Sequence, residues 1–188
     1  MLDPIVRAVA RTGLTPNGVT AIGFAGNVVA AVLAGAGLLL AAGLVMLAGS
    51  GLDLIDGALA RATGRVSRFG AVFDAVLDRY SEAVVLLGLM WYYADRDAVI
   101  EPALLFAALA GSVLVSSVRA RAETLGLSLR EGLFTRAERV VLLAAALCVA
   151  AWWRPALTLA LWLLAVLTNL TAWQRVYHVW TKTGEGTA

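Results

Sequence analysis

Four aspartates, Asp53, Asp56, Asp74 and Asp78, interrupt otherwise apolar runs in the stretch GLDLIDGALARATGRVSRFGAVFDAVLD at 51–78. Asp53 and Asp56 are three residues apart, Asp74 and Asp78 four, so on helices each pair shares one face. Carboxylates packed together repel, and the nearby Arg61 and Arg79 neutralise only part of that charge. Two divalent cations would balance four carboxylates, and ligation by oxygen alone favours Mg2+ or Mn2+. Gly57 follows Asp53 by one turn with Ala60 on much the same face, and Gly70 precedes Asp74 by one turn. Such small residues leave a substrate room to reach the metals. Arg61 extends the face and suits a phosphate group. Paired metals beside a phosphate-binding arginine fit displacement at phosphorus, where they stabilise attacking and leaving oxygens. With one histidine, His178, and one cysteine, Cys148, a zinc site of the usual ligands is excluded.

The elements that position these residues are membrane helices. Of 188 residues 61% are hydrophobic, only 15% are charged, and the mean hydropathy is +0.82. A soluble domain is about half apolar, so the surplus faces lipid. At about 20 apolar residues per crossing, the chain reads as an all-α integral membrane protein. Its six transmembrane helices fall at about 18–41, 43–62, 70–94, 101–122, 138–153 and 156–178. An N-terminal amphipathic surface helix precedes them, with Leu2, Ile5, Val6, Val9 and Ala10 on one face and Arg7 and Arg11 on the other. Leu14-Thr15-Pro16-Asn17 reads as the turn that follows. The expected organisation is one domain over 1–188: juxtamembrane helix and turn at 1–16, six-helix bundle at 17–178, cytoplasmic tail at 179–188.

The turn at Ala62–Phe69 makes the second and third spans antiparallel neighbours. Both aspartate pairs then lie within roughly 5–15 Å of the same helix ends. Lysines and arginines crowd that side of the membrane, with only Arg96 and Arg154 opposite, so it is the cytoplasmic side. The expected location is the plasma membrane, with both termini inside. The net charge of +2 and pI near 9.0 come from helix-end residues and not from a basic soluble domain, which argues against a nucleic-acid partner. Glycines over Gly23–Gly37 permit close helix packing. Trp91, Tyr92, Tyr93, Trp152 and Trp153 fit an aromatic interface belt, and Cys148 reads as a buried, inert thiol.

Asp53-x-x-Asp56-Gly57-x-x-Ala60-Arg61, then eight residues, Gly70, three, Asp74, three, Asp78 resembles the signature of the CDP-alcohol phosphatidyltransferases. The likeness extends to the six-span plan, the surface helix and the LTPN turn. It implies that a CDP-linked lipid binds with its pyrophosphate on the metals, an acceptor alcohol attacks the lipid-side phosphorus, and CMP leaves. By resemblance Asp53, Asp56 and Asp74 hold metal, while Asp78 contacts the second ion and is the general base on the acceptor hydroxyl. The residues Pro16, Asn17, Gly18, Val19, Gly57, Ala60, Arg61, Ser67 and Gly70 would hold the CDP-lipid. Relatives of this kind are homodimers.

The acceptor is read from the second half. VRARAE at 118–123, TRAERVVLL at 135–143 and QRVYHVW at 174–180 are similar to segments of actinobacterial phosphatidylinositol phosphate synthases, which use inositol 1-phosphate. By that likeness Arg119, Arg139 and Arg175 would clamp the acceptor's phosphate, with Arg136 a weaker candidate; Arg119 stands where relatives often have lysine. Glycerol 3-phosphate offers a phosphate to the same arginines, whereas serine leaves the cluster unexplained. Diacylglycerol and ether-linked donors remain alternatives. A transporter would spread polar residues through several spans, and a packing scaffold would not need the aspartates.

Overall fold

The computed structural model describes residues 6, 13–94, 96–129 and 132–184. Among them all regular structure is helical: α1 (Pro16–Gly35), α2 (Leu39–Ala62), α3 (Arg68–Ala94), α4 (Ile100–Thr124), α5 (Arg136–Ala150) and α6 (Pro155–Lys182). The expected N-terminal surface helix lies outside the described residues except for Val6, which is helical and packs with Val19 and Leu59.

Four helices, α1, α2, α4 and α6, are long and apolar enough to cross a membrane. The shortest has 20 residues, about 30 Å of rise, which matches the hydrocarbon core. The two other expected spans differ for identifiable reasons. Helix α3 has 27 residues but carries Arg68, Asp74, Asp78, Arg79 and Glu82. Helix α5 has only 15 residues, about 22 Å.

Three boundaries depart from the sequence reading. Pro16 and Asn17 are the first turn of α1 and not a preceding loop. Thr15 is its N-cap, with its hydroxyl accepting the Gly18 N–H at 3.1 Å, and proline at the first helical position is pre-set for the helix. Helix α1 stops at Gly35 rather than 41, because the chain reverses through Ala36-Gly37-Leu38 with Gly37 at φ +79°. Only glycine enters that left-handed region without strain. At the other end, α6 runs on to Lys182, so residues 179–182 extend the helix and are not tail.

The chain forms two compact units, Met1–Tyr92 and Tyr93–Ala188. In the first, α1 and α2 are antiparallel and meet through glycine. A Cβ on Gly23 would come 2.8 Å from Gly49 O, and one on Gly49 would come 2.9 Å from Gly23 O. Asn27, almost fully buried, joins the seam by accepting from the Ser50 hydroxyl at 3.3 Å. Helix α3 packs on α1 as closely, since a Cβ on Gly88 would sit 2.2 Å from Ala31 O. Backbone cannot swing aside, so Gly88→Ala is expected to cost at least the 1–3 kcal/mol, roughly, of core overpacking. A lowered unfolding midpoint in detergent, relative to wild type, checks this.

In the second unit α4 and α6 run parallel, linked in order by Thr158 Oγ1 donating to Glu101 (3.0 Å), Asn169 Nδ2 donating to Ala107 O (3.0 Å) and Arg175 Nη1 donating to Val115 O (2.8 Å). Interhelical polar bonds of this kind hold helices together where lipid offers no alternative partner. Thr135 and Glu138 form a capping box that starts α5 at Arg136. Leu129 and Phe134, in the segment before it, are buried. Of the expected aromatic belt, Trp91, Trp152 and Trp153 are exposed, but Tyr92 and Tyr93 are buried. Cys148 is half-buried and not fully enclosed.

Candidate active site

The first unit contains a cavity of about 340 Å³ lined by Pro16, Asn17 and Thr20 of α1, Asp56, Gly57, Ala60 and Arg61 of α2, and Ser67, Gly70, Ala71 and Asp74 at the start of α3. Arg65 and Val66 complete the wall. Its position follows from local chemistry. The α1 N-terminus is capped by Thr15. The Ser67 hydroxyl accepts the Gly70 N–H at 2.9 Å and so caps α3. Two helix N-termini thus border one space that also holds two arginines, a setting suited to anionic oxygens.

The antiparallel register of α1 and α2 places the first aspartate pair. Asp53 Oδ1 lies 3.2 Å from where a Gly23 Cβ would be, and Asp56 Oδ2 accepts from the Thr20 hydroxyl at 2.5 Å. Asp56 is 6% exposed. Close approach at Gly70 is equally specific: a Cβ there would come 3.0 Å from Ser67 Oγ and 3.1 Å from Asn17 Oδ1. Arg61 folds back so that its Nη1 is 3.5 Å from a Gly57 Cβ position.

The cavity therefore gathers Pro16, Asn17, Gly57, Ala60, Arg61, Ser67, Gly70, Asp56 and Asp74. Four other expected residues are not in its lining. Asp53 is half-buried against α1, and Asp78 is half-buried one turn beyond Asp74. Gly18 gives its N–H to Thr15, and Val19 is in the core, 3% exposed. Among the described residues no three acidic, histidine or cysteine side chains converge into a closed cation site. The donor set is nonetheless all-oxygen and anionic, the kind that Mg2+ and Mn2+ accept.

In the second unit, Arg139 and Arg175 are buried, at 4% and 6% exposure. Arg119 and Arg139 both act electrostatically on Arg175. Arg175 Nε is buried without a hydrogen-bond partner, an unused charged donor that is costly to leave unmade. Gly132 packs on this guanidinium, its Cβ position 2.9 Å from Nη2. Arg119 is exposed and pairs with Glu123 at 2.9 Å, a surface pair worth little. Arg136 is half-buried at the start of α5.

The family model for CDP-alcohol phosphatidyltransferase matches residues 13–174. The chain belongs to that family. Among its relatives, the phosphatidylinositol phosphate synthase of Mycobacterium marinum is 41% identical over 97% of this chain and 80% of its own length. The Mycobacterium tuberculosis phosphatidylinositol phosphate synthase crystal structure with CDP-DAG bound superposes with a TM-score of 0.87 at 38% identity, covering 95% of this chain and 92% of that one. The same enzyme in complex with manganese and citrate gives 0.89 at 37% identity, over 96% and 90%. As a CDP-alcohol phosphatidyltransferase, the protein is an enzyme of phosphoryl-group transfer.

Two contributors escaped the sequence reading. Thr20 bonds to Asp56, and its one signal was a position one turn after Pro16, on the face that carries the cavity. Gly132 had no signal, since its role depends on the distant Arg175.

Proposed function

We propose that this enzyme transfers the phosphatidyl group of CDP-diacylglycerol to inositol 1-phosphate and releases CMP. The observation that carries this is the cavity uniting Asp56 and Asp74 with Arg61, Arg65 and two helix N-termini. The likeness to synthases of phosphatidylinositol phosphate supports the same reaction.

In this reading Pro16, Asn17, Gly18, Val19, Gly57, Ala60, Arg61, Ser67 and Gly70 hold the CDP-lipid, Arg61 meeting its phosphates and Gly57 and Gly70 leaving it space. Asp53, Asp56, Asp74 and Asp78 would hold two ions, Mg2+ or Mn2+. When bound, these supply charge neutralisation at the reacting phosphorus. The acceptor oxygen forms a bond to the lipid-side phosphorus as the bond to the CMP oxygen breaks, and CMP departs with that electron pair. Asp78 takes the acceptor's hydroxyl proton. Arg119, Arg139 and Arg175, with Arg136 in support, bind the acceptor's phosphate, and the unpartnered Arg175 Nε supports that role.

The membrane arrangement belongs to the same proposal. Helices α3 and α5 join the four apolar helices as spans, making six after a surface helix, and 1–188 act as one domain. The arginine-rich side and both termini face the cytoplasm at the plasma membrane, and the enzyme works as a homodimer.

Mass spectrometry of lipids formed from CDP-diacylglycerol, inositol 1-phosphate and Mn2+ tests the reaction. A phosphatidylinositol phosphate product is expected. Chelating the metal with EDTA is expected to reduce product to background, and excess Mn2+ to restore it. Product formation unaffected by EDTA would contradict the aspartate assignment.

A further inference from the structure

We propose that Thr20 is a positioning residue that holds the Asp56 carboxylate in its ligating orientation. The inference rests on the metal-binding reading of Asp56 and deepens it. Thr20 is 4% exposed, lines the same cavity as Asp56, and reaches across from α1 to α2. A threonine within a helix ordinarily returns its hydroxyl proton to the carbonyl four residues back. That option exists here, with Pro16 O at 3.1 Å, but Asp56 Oδ2 is nearer at 2.5 Å. The hydroxyl has a single proton, and 2.5–2.7 Å is the span of charge-assisted O–H···O⁻ bonds. The proton therefore goes to the carboxylate. β-Branching leaves the Thr20 side chain few rotamers, and the one it adopts aims the hydroxyl at Asp56. Groups that orient ligands in this way typically change metal affinity or activity about 10–100-fold when removed.

The test compares Mn2+ binding, by electron paramagnetic resonance of purified protein without substrate, in wild type, T20V, T20S and D56N. Valine keeps the shape and removes the donor; serine keeps the donor and removes the methyl. The Mn2+ dissociation constant is expected to rise about tenfold in T20V, with T20S close to wild type. The concentration of Mn2+ giving half-maximal turnover should move in parallel, with most of the T20V deficit recovered at saturating Mn2+. Wild-type Mn2+ affinity in T20V, beside lost affinity in D56N, would overturn the role of Thr20. A T20S defect equal to that of T20V would also overturn it, since packing and not the hydroxyl would then be responsible. Unchanged affinity in D56N would instead remove the metal assignment on which the proposal stands.

Discussion

Asp78→Asn is expected to lower kcat by roughly 10²–10⁴, the range for removing a general base, while leaving the protein folded. Asparagine keeps the shape of aspartate but cannot accept the hydroxyl proton. Asp78 is half-buried on α3 one turn beyond Asp74, which lines the cavity, so the change is local. The KM for CDP-diacylglycerol should change far less than kcat, because Asp53, Asp56 and Asp74 would still hold metal and the groups proposed to contact the donor are on α1, α2 and the start of α3. Steady-state CMP release against both substrates separates the two parameters. A loss confined to the donor KM would make Asp78 a binding residue only.

Arg175→Ala has the second large expected effect, on the acceptor. Removing one partner of a buried charge pair costs about 2–5 kcal/mol, so the KM for inositol 1-phosphate should rise by about 30-fold or more. The KM for the donor should stay near the wild-type value. Arg175→Lys keeps the charge but loses the planar fork that places Nη1 on Val115 O and leaves Nε unused. It should therefore recover only part of the affinity. Equal rises in both KM values would point instead to a packing defect around Gly132, which packs on this guanidinium.

Much of this was legible in the sequence, for physical reasons. Burying a carboxylate in an apolar run is expensive, so the four aspartates stand out in the sequence, and two of them, Asp56 and Asp74, line the cavity. The 3-residue and 4-residue spacings were read as helical faces, and α2 and α3 are helices. Glycine was harder. Gly23 reads as packing space, yet only the antiparallel register shows that Gly49 is its partner. The α1–α2 reversal was misplaced because Ala36 and Leu38 are as apolar as the helices they separate, leaving hydropathy with no edge to detect. Thr20 and Gly132 were missed because each acts on a residue far along the chain, at Asp56 and Arg175. Val19 adjoins Pro16–Gly18 in the chain, yet helical geometry turns its side chain to the core beside Leu59, a placement that adjacency alone does not show.

The most direct measurement is CMP release by the purified protein in detergent with CDP-diacylglycerol and Mn2+, with inositol 1-phosphate, glycerol 3-phosphate, serine and free inositol each offered as sole acceptor. Turnover is predicted with inositol 1-phosphate and not with the acceptors lacking a phosphate. Turnover with glycerol 3-phosphate alone would keep the family chemistry and contradict the acceptor; turnover with serine or free inositol would contradict the role given to the arginines.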